Sequence, residues 1–209
     1  MKKKNIIPKI IVIILIIALI LTIIFMLNRK QKDMTIQMYQ DICEKQTYTF
    51  AITEENPDTN YSLTISKSGN SMSIDAKSND DHTTTLVKDD AAYYIMHLEK
   101  EYYLYDSSQI DADILKNELA GIENEDYTSG YEKINGTRYY YEEYDGISTF
   151  VIGAYDYDEG ELKTRLYFDG DKISYIKNIT NENEELLKVE FSDNIDEGLF
   201  EIPDDYAEM

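Results

Sequence analysis

The chain has 209 residues, with 41 acidic against 20 basic side chains and a formal net charge of −21. All the acidic residues lie beyond Lys32, giving that part a charge of about −28, which excludes nucleic acid as a partner because phosphates would be repelled. A single cysteine cannot form an internal disulfide, so stability must come from a packed core.

Ile10 to Leu27 is an uncharged apolar run of eighteen residues. As a helix rising about 1.5 Å per residue it spans roughly 27 Å, close to the hydrocarbon thickness of a bilayer. A cleaved signal peptide would have a shorter apolar region and small residues after it. Here Asn28-Arg29-Lys30-Gln31-Lys32 follows, and Cys43 lies too far on to be a lipidation site. Lys2, Lys3, Lys4, Lys9 and the amino terminus outweigh Arg29, Lys30 and Lys32, favouring a cytoplasmic N-terminus. The expected division is a basic cytoplasmic segment (1–9), a transmembrane anchor (10–28), a short juxtamembrane linker (29–33) and an extracytoplasmic domain (34–209).

Within that domain, Met34, Met38 and Ile42 recur at helical spacing and predict a helix over 33–46, with Cys43 as a small residue of its apolar stripe. From Thr47 the period becomes two. Strands are expected around Tyr48–Ile52, Tyr61–Ile65, Met72–Ala76, Thr83–Val87, Ala91–Leu98 and Tyr102–Tyr105, separated by short polar turns. Ile110, Ile114, Leu115, Leu119 and Ile122 predict a second helix over 110–122. Further strands follow over Tyr127–Ile134, Thr137–Tyr144, Ser148–Asp156, Glu161–Phe168, Lys172–Asn178 and Glu185–Phe191. One face of the resulting sheet is apolar and must be covered, and only the two helices are available. The fold class is therefore α+β: a strongly curved antiparallel sheet, a half-open barrel of about 10–11 strands, wrapped around two short helices. Such an arrangement leaves room for a gap lined by Phe, Ile, Met and Tyr.

No catalytic constellation appears, so an enzyme is not expected, and no cofactor is implied. His82 lies in an Asp-rich turn and His97 near a strand end, without Cys or Glu at ligand spacing, so no metal role is assigned. Asp156 to Glu161 looks faintly like a calcium loop but lacks the distal Glu, and a hairpin turn explains it better. The nineteen tyrosines fit β-propensity and cross-strand pairing, or rings that line a cavity and a binding surface.

Three carboxy-terminal stretches carry a resemblance: Leu166 to Ile176, Val189-Glu-Phe-Ser and Ile195 to Tyr206, the last with Phe200-x-x-Pro203. Lys133 to Tyr140 adds to them. Together they resemble the LolA-like lipoprotein carriers and their LppX and LprG type relatives, mainly over 133–206. The resemblance implies a half-open barrel enclosing helices and an apolar cavity for acyl chains. The chain departs from those carriers in its uncleaved anchor and in lacking a lipid-attached cysteine. The expected function is binding of a hydrophobic ligand (an acyl chain, lipid or lipidated peptide) beside the membrane. Phe50, Ile52, Leu63, Ile65, Met72, Ile74, Leu166 and Phe168 are the candidate cavity residues. The alternative is an interaction module with a filled core, whose partner is another envelope protein.

Overall fold

The computed structural model describes residues 34–55, 60–106, 110, 114–146, 162–181 and 183–209. The apolar run, the linker, the strand expected over Ser148–Asp156 and the calcium-like segment lie outside them. Among the described residues no helix is long and apolar enough to cross a membrane.

The chain opens with helix α1 (Met34–Cys43), then six strands: β1 (Thr47–Glu54), β2 (Ser62–Ser68), β3 (Ser71–Lys77), β4 (His82–Lys88), β5 (Ala91–Met96) and β6 (Glu101–Tyr105). Helix α2 (Ile114–Ile122) leads to β7 (Tyr127–Ile134), β8 (Thr137–Asp145), β9 (Lys163–Asp169), β10 (Lys172–Ile179) and β11 (Glu184–Ser192). A 3₁₀ turn (Glu197–Phe200) and the two-residue strand β12 (Ala207–Glu208) end it. All twelve strands join one curved, unclosed sheet in the order β12-β6-β5-β4-β3-β2-β1-β11-β10-β9-β8-β7. Two antiparallel meanders are thus stitched together where β1 pairs with β11, Phe50 opposite Phe191 and Ile52 opposite Val189.

Local chemistry explains the meanders. The β4–β5 connection is Asp89-Asp90 and the β7–β8 connection is Asn135-Gly136, and all four residues have positive φ. That is the backbone of the primed two-residue hairpin turn, whose twist matches the strands it joins. β12 departs from the antiparallel expectation: it pairs with β6 in parallel, at the sheet's edge. At two residues it is too short to show a period.

The core lies on one face of the sheet. Tyr48, Phe50, Ile52, Ile65, Tyr144, Leu166, Phe168, Ile176, Leu187 and Val189 pack there against Met38, Tyr39 and Ile42 of α1 and Leu115 and Ile122 of α2. Both helices therefore cover the apolar face, as their periodicity requires. Cys43 is half-buried against the same core, the place its position on the stripe implies. A smaller cluster forms on the opposite face, where Phe200 of the 3₁₀ turn sits on Leu86 and Ile95.

The outer face of β7–β10 carries an ionic network. Arg165 bonds Glu143 and, at 2.7 Å, Glu132, while its guanidinium stacks over Tyr141 at 4.7 Å. Tyr141 in turn lies over Gly130, its cross-strand partner, where a Cβ would meet its hydroxyl at 2.8 Å. Gly130→Val is expected to displace this ring and cost roughly 1–3 kcal/mol by overpacking, read by urea unfolding.

Candidate functional site

Helix α1 is held by an interaction distant in sequence. Its first turn has no acidic residue. Glu142 of β8 supplies the charge instead, accepting from Thr35 N–H at 3.1 Å and from the Thr35 hydroxyl. The Tyr140 and Tyr144 hydroxyls donate to the same carboxylate at 3.3 and 3.4 Å. Glu142 and Thr35 are both fully buried. A carboxylate at this end is favoured by the helix dipole. Burial nevertheless pushes the Glu142 carboxyl above its ordinary range, against the downward pull of the Thr35 bonds. Burial also pushes the Tyr140 hydroxyl up to about 12, so it remains a donor.

With its start fixed, α1 forms one wall of a cleft of about 940 Å³ that is half open to solvent. Met38 and Ile42 from α1, Ile173 from β10, and Val189 and Phe191 from β11 supply its apolar surface. The alternation of β11 directs Val189 and Phe191 to the helix-covered face, and Phe191 stacks on Tyr48 at 6.2 Å. The rim is charged: Asp41, Asp169, Asp171, Glu190 and Asp193 face Lys45 and Lys172. Lys45 closes one corner, bonding Asp193 at 2.7 Å with its ammonium 5.4 Å from the Phe191 ring centre. The site thus joins an apolar floor to a rim of net negative charge.

The eight residues expected to line a cavity lie on the helix-covered face. Phe50, Ile52, Ile65, Leu166 and Phe168 are buried in the main core, with Leu63 and Ile74 packed against it, and Met72 is also buried. The structure brings seven of them together, packed against the helices, and none lines the cleft beside α1. Their inward direction was legible from the period. That the helices bury them so completely was not.

A second depression of about 490 Å³ lies at the hairpin ends around Thr53, Tyr61 and Lys77, with a polar lining. A polar group on the sheet's outer face was missed from sequence. Asp75, His82 and His97 each offer a ligand atom within 4.8 Å of the others. The two imidazoles stack with centres 3.9 Å apart. The histidines are fifteen positions apart in the chain, and only the β4–β5 hairpin register places them side by side.

No protein-family model and no curated protein matches the chain. The architecture defines its class as a half-open antiparallel barrel closed on one face by two helices. An uncharacterized conserved protein from Thermus thermophilus shares the fold at 11% identity and TM-score 0.50, covering 84% of this chain and 96% of that one. Similar solved structures also include LprF from Mycobacterium bovis, at 13% identity and TM-score 0.47, covering 84% and 98%. LppX, a Mycobacterium tuberculosis lipoprotein, is a third, at 11% identity and TM-score 0.41, covering 78% and 96%. At 11% identity the likeness to the Thermus thermophilus protein speaks to the fold alone.

Proposed function

We propose that the chain is a membrane-anchored, extracytoplasmic binding protein, without enzymatic activity, that takes an acyl chain, lipid or lipidated peptide into the cleft beside α1. The observation that carries this reading is the apolar floor of Met38, Ile42, Ile173, Val189 and Phe191 in a cleft of about 940 Å³. Ligand sites run to about 300–1,000 Å³ and are lined mainly by such side chains. The location supports it too. Six residues separate the apolar run from α1, and ten helical residues span only about 15 Å. A chain anchored at 10–28 with its N-terminus in the cytoplasm would hold the cleft beside the outer leaflet surface, suited to local capture rather than shuttling.

The rim sets the ligand's polar end. Five carboxylates against two ammonium groups disfavour a free carboxylate at the mouth. A neutral monoacylglycerol is therefore expected to bind at least several-fold tighter than the fatty-acid anion of equal chain length, with the gap narrowing at high salt. Competition against an apolar fluorophore on the full chain in detergent measures both. Ser174→Trp, which fills the cleft, is expected to weaken fluorophore binding tenfold or more, while Leu104→Ser on the outer face leaves it unchanged. If the full chain shows no saturable fluorophore site and carries no lipid in native mass spectrometry, the reading fails. The packed interior around Phe50 and Leu166 supports a second reading, the envelope interaction module with a filled core. A protein crosslinked in cells to the chain, with no lipid bound, would favour it.

A further inference from the structure

We propose that Asp75, His82 and His97 form a binding site for a divalent ion of the zinc class, and that the bound ion clamps the carboxy-terminal segment to the outer face of the sheet. The site lies on the face opposite the cleft and does not depend on the ligand-binding reading.

The placement begins with the strand register. Asp75 of β3 lies opposite Thr84 of β4. The backbone N–H of His97 bonds the carbonyl of His82 at 3.0 Å, so the two histidines are cross-strand neighbours one step beyond the end of β5. Residues 82 and 84 project from β4 to one face, and 75 and 97 project to that same face from the strands on either side. Three of the side chains needed for a metal site are thus delivered by backbone pairing alone.

The donor atoms have usable spacing. Asp75 Oδ1 is 2.9 Å from His82 Nε2 and 3.9 Å from His97 Nε2. Around a tetrahedral ion with bonds near 2.0–2.1 Å, ligand atoms lie about 3.4 Å apart, between those two values. Small rotamer adjustments bring all three onto one ion. Two imidazoles and one carboxylate suit zinc, and neutral imidazole is the form that coordinates.

The far side of the site is also built. His97 Nδ1 lies 2.9 Å from the Tyr206 hydroxyl, which directs Nε2 inward. Metal-bound histidines characteristically have their second nitrogen held in this way. Thr84 Oγ1 donates to Asp75 Oδ1 at 2.7 Å and lies 2.8 Å from His97 Nε2. An ion replaces both of these contacts, which rotation about the Thr84 χ1 gives up. The three side chains are 20–30% exposed, so an ion reaches the site from solvent and water completes its coordination.

Tyr206 immediately precedes β12 and follows the turn that seats Phe200. An ion on His97 therefore stiffens the contact through which the last segment grips β5, and joins β3, β4 and β5 on one centre. The chain contains only two histidines, so any imidazole signal reports this site alone.

The test uses the chelator-stripped, untagged full chain in detergent, titrated with zinc alone. One equivalent is expected to bind, with both Nε2 resonances shifted in histidine-detected ¹⁵N spectra and the Nδ1 positions remaining protonated. At saturating zinc, about a hundred times Kd, the thermal midpoint should rise by roughly 5–10 °C. His82→Gln should abolish the rise, and Tyr206→Phe should weaken affinity about tenfold or more. Cobalt substitution should give the intense visible bands of a tetrahedral ion. If zinc leaves the wild-type histidine resonances unmoved, or His82→Gln binds it equally well, the site is only a hydrogen-bonded cluster and the inference is overturned.

Discussion

Glu142→Ala is expected to destabilise the domain by roughly 2–4 kcal/mol, because it strands two donors of a fully buried Thr35 and leaves a void beside Tyr144. Urea unfolding of the full chain measures the loss. Glu142→Gln separates the hydrogen bonds from the charge. Its amide oxygen can still accept from Thr35, and its amide nitrogen faces tyrosine hydroxyls that can turn to accept. The glutamine variant should stay within about 1 kcal/mol of the parent, and the sign of the difference depends on pH. The Glu142 carboxyl titrates above its ordinary value of 4.5 in the folded protein. The folded state then binds the proton more tightly than the unfolded chain, so stability falls as pH rises from the unfolded value through the folded one. Glutamine does not titrate. Its midpoint relative to the parent should therefore be higher at pH 7 than at pH 4. An equal difference at both would show that Glu142 carries no raised pKa.

The same residue shows where reading from sequence stops. In Tyr139-Tyr140-Tyr141-Glu142-Glu143-Tyr144 the two glutamates look alike, and each reads as a solvated side chain. Strand alternation separates them completely. Glu143 points outward to Arg165, and Glu142 inward to the start of α1, 107 residues earlier in the chain. Period-two patterning located the strands well, because each hairpin is local and its turn chemistry is explicit, as at Asn135-Gly136. It also chose the correct inward face, placing Phe50, Ile52 and Leu166 against the helices. It could not decide between an occupied and an empty interior, since that depends on how closely Met38, Tyr39, Leu115 and Ile122 approach from helices distant in sequence. The His82–His97 stack was hidden for a related reason. Metal-ligand spacing is recognisable within one helix or loop, whereas a hairpin sets its own separation.

Phe200→Ala should cost about 3 kcal/mol or more, and its effect should be local in a way the Glu142 variants are not. Phe200 belongs to the Phe-x-x-Pro ending that carried the family resemblance, yet the pattern alone does not say what the ring does. In the structure it is 4% exposed and covers Leu86 and Ile95 on the face away from the main core, with Tyr93, Tyr102, Ile202 and Tyr206 around it. The aspartate before the turn, Asp196, accepts from Gly198 N–H at 3.0 Å and fixes the bend that presents the ring. Beyond it, the chain is held by the Tyr206 hydroxyl on His97 and by two edge bonds, Ala207 N–H to Lys100 O and Met209 N–H to Tyr102 O, each 3.0 Å. The Lys100–Asp205 ion pair is largely exposed and adds little. Removing the ring should thus loosen the last segment before the sheet unfolds. Hydrogen exchange of the variant should show the amides of Ala207 and Met209 protected a hundredfold or more less than those of β1 and β11, the gap between a local opening and global unfolding. Equal protection in both regions would mean that the outer cluster and the main core unfold as one unit. Segmental loss would also carry Tyr206 away from His97, and with it the clamp that an ion at Asp75, His82 and His97 would close.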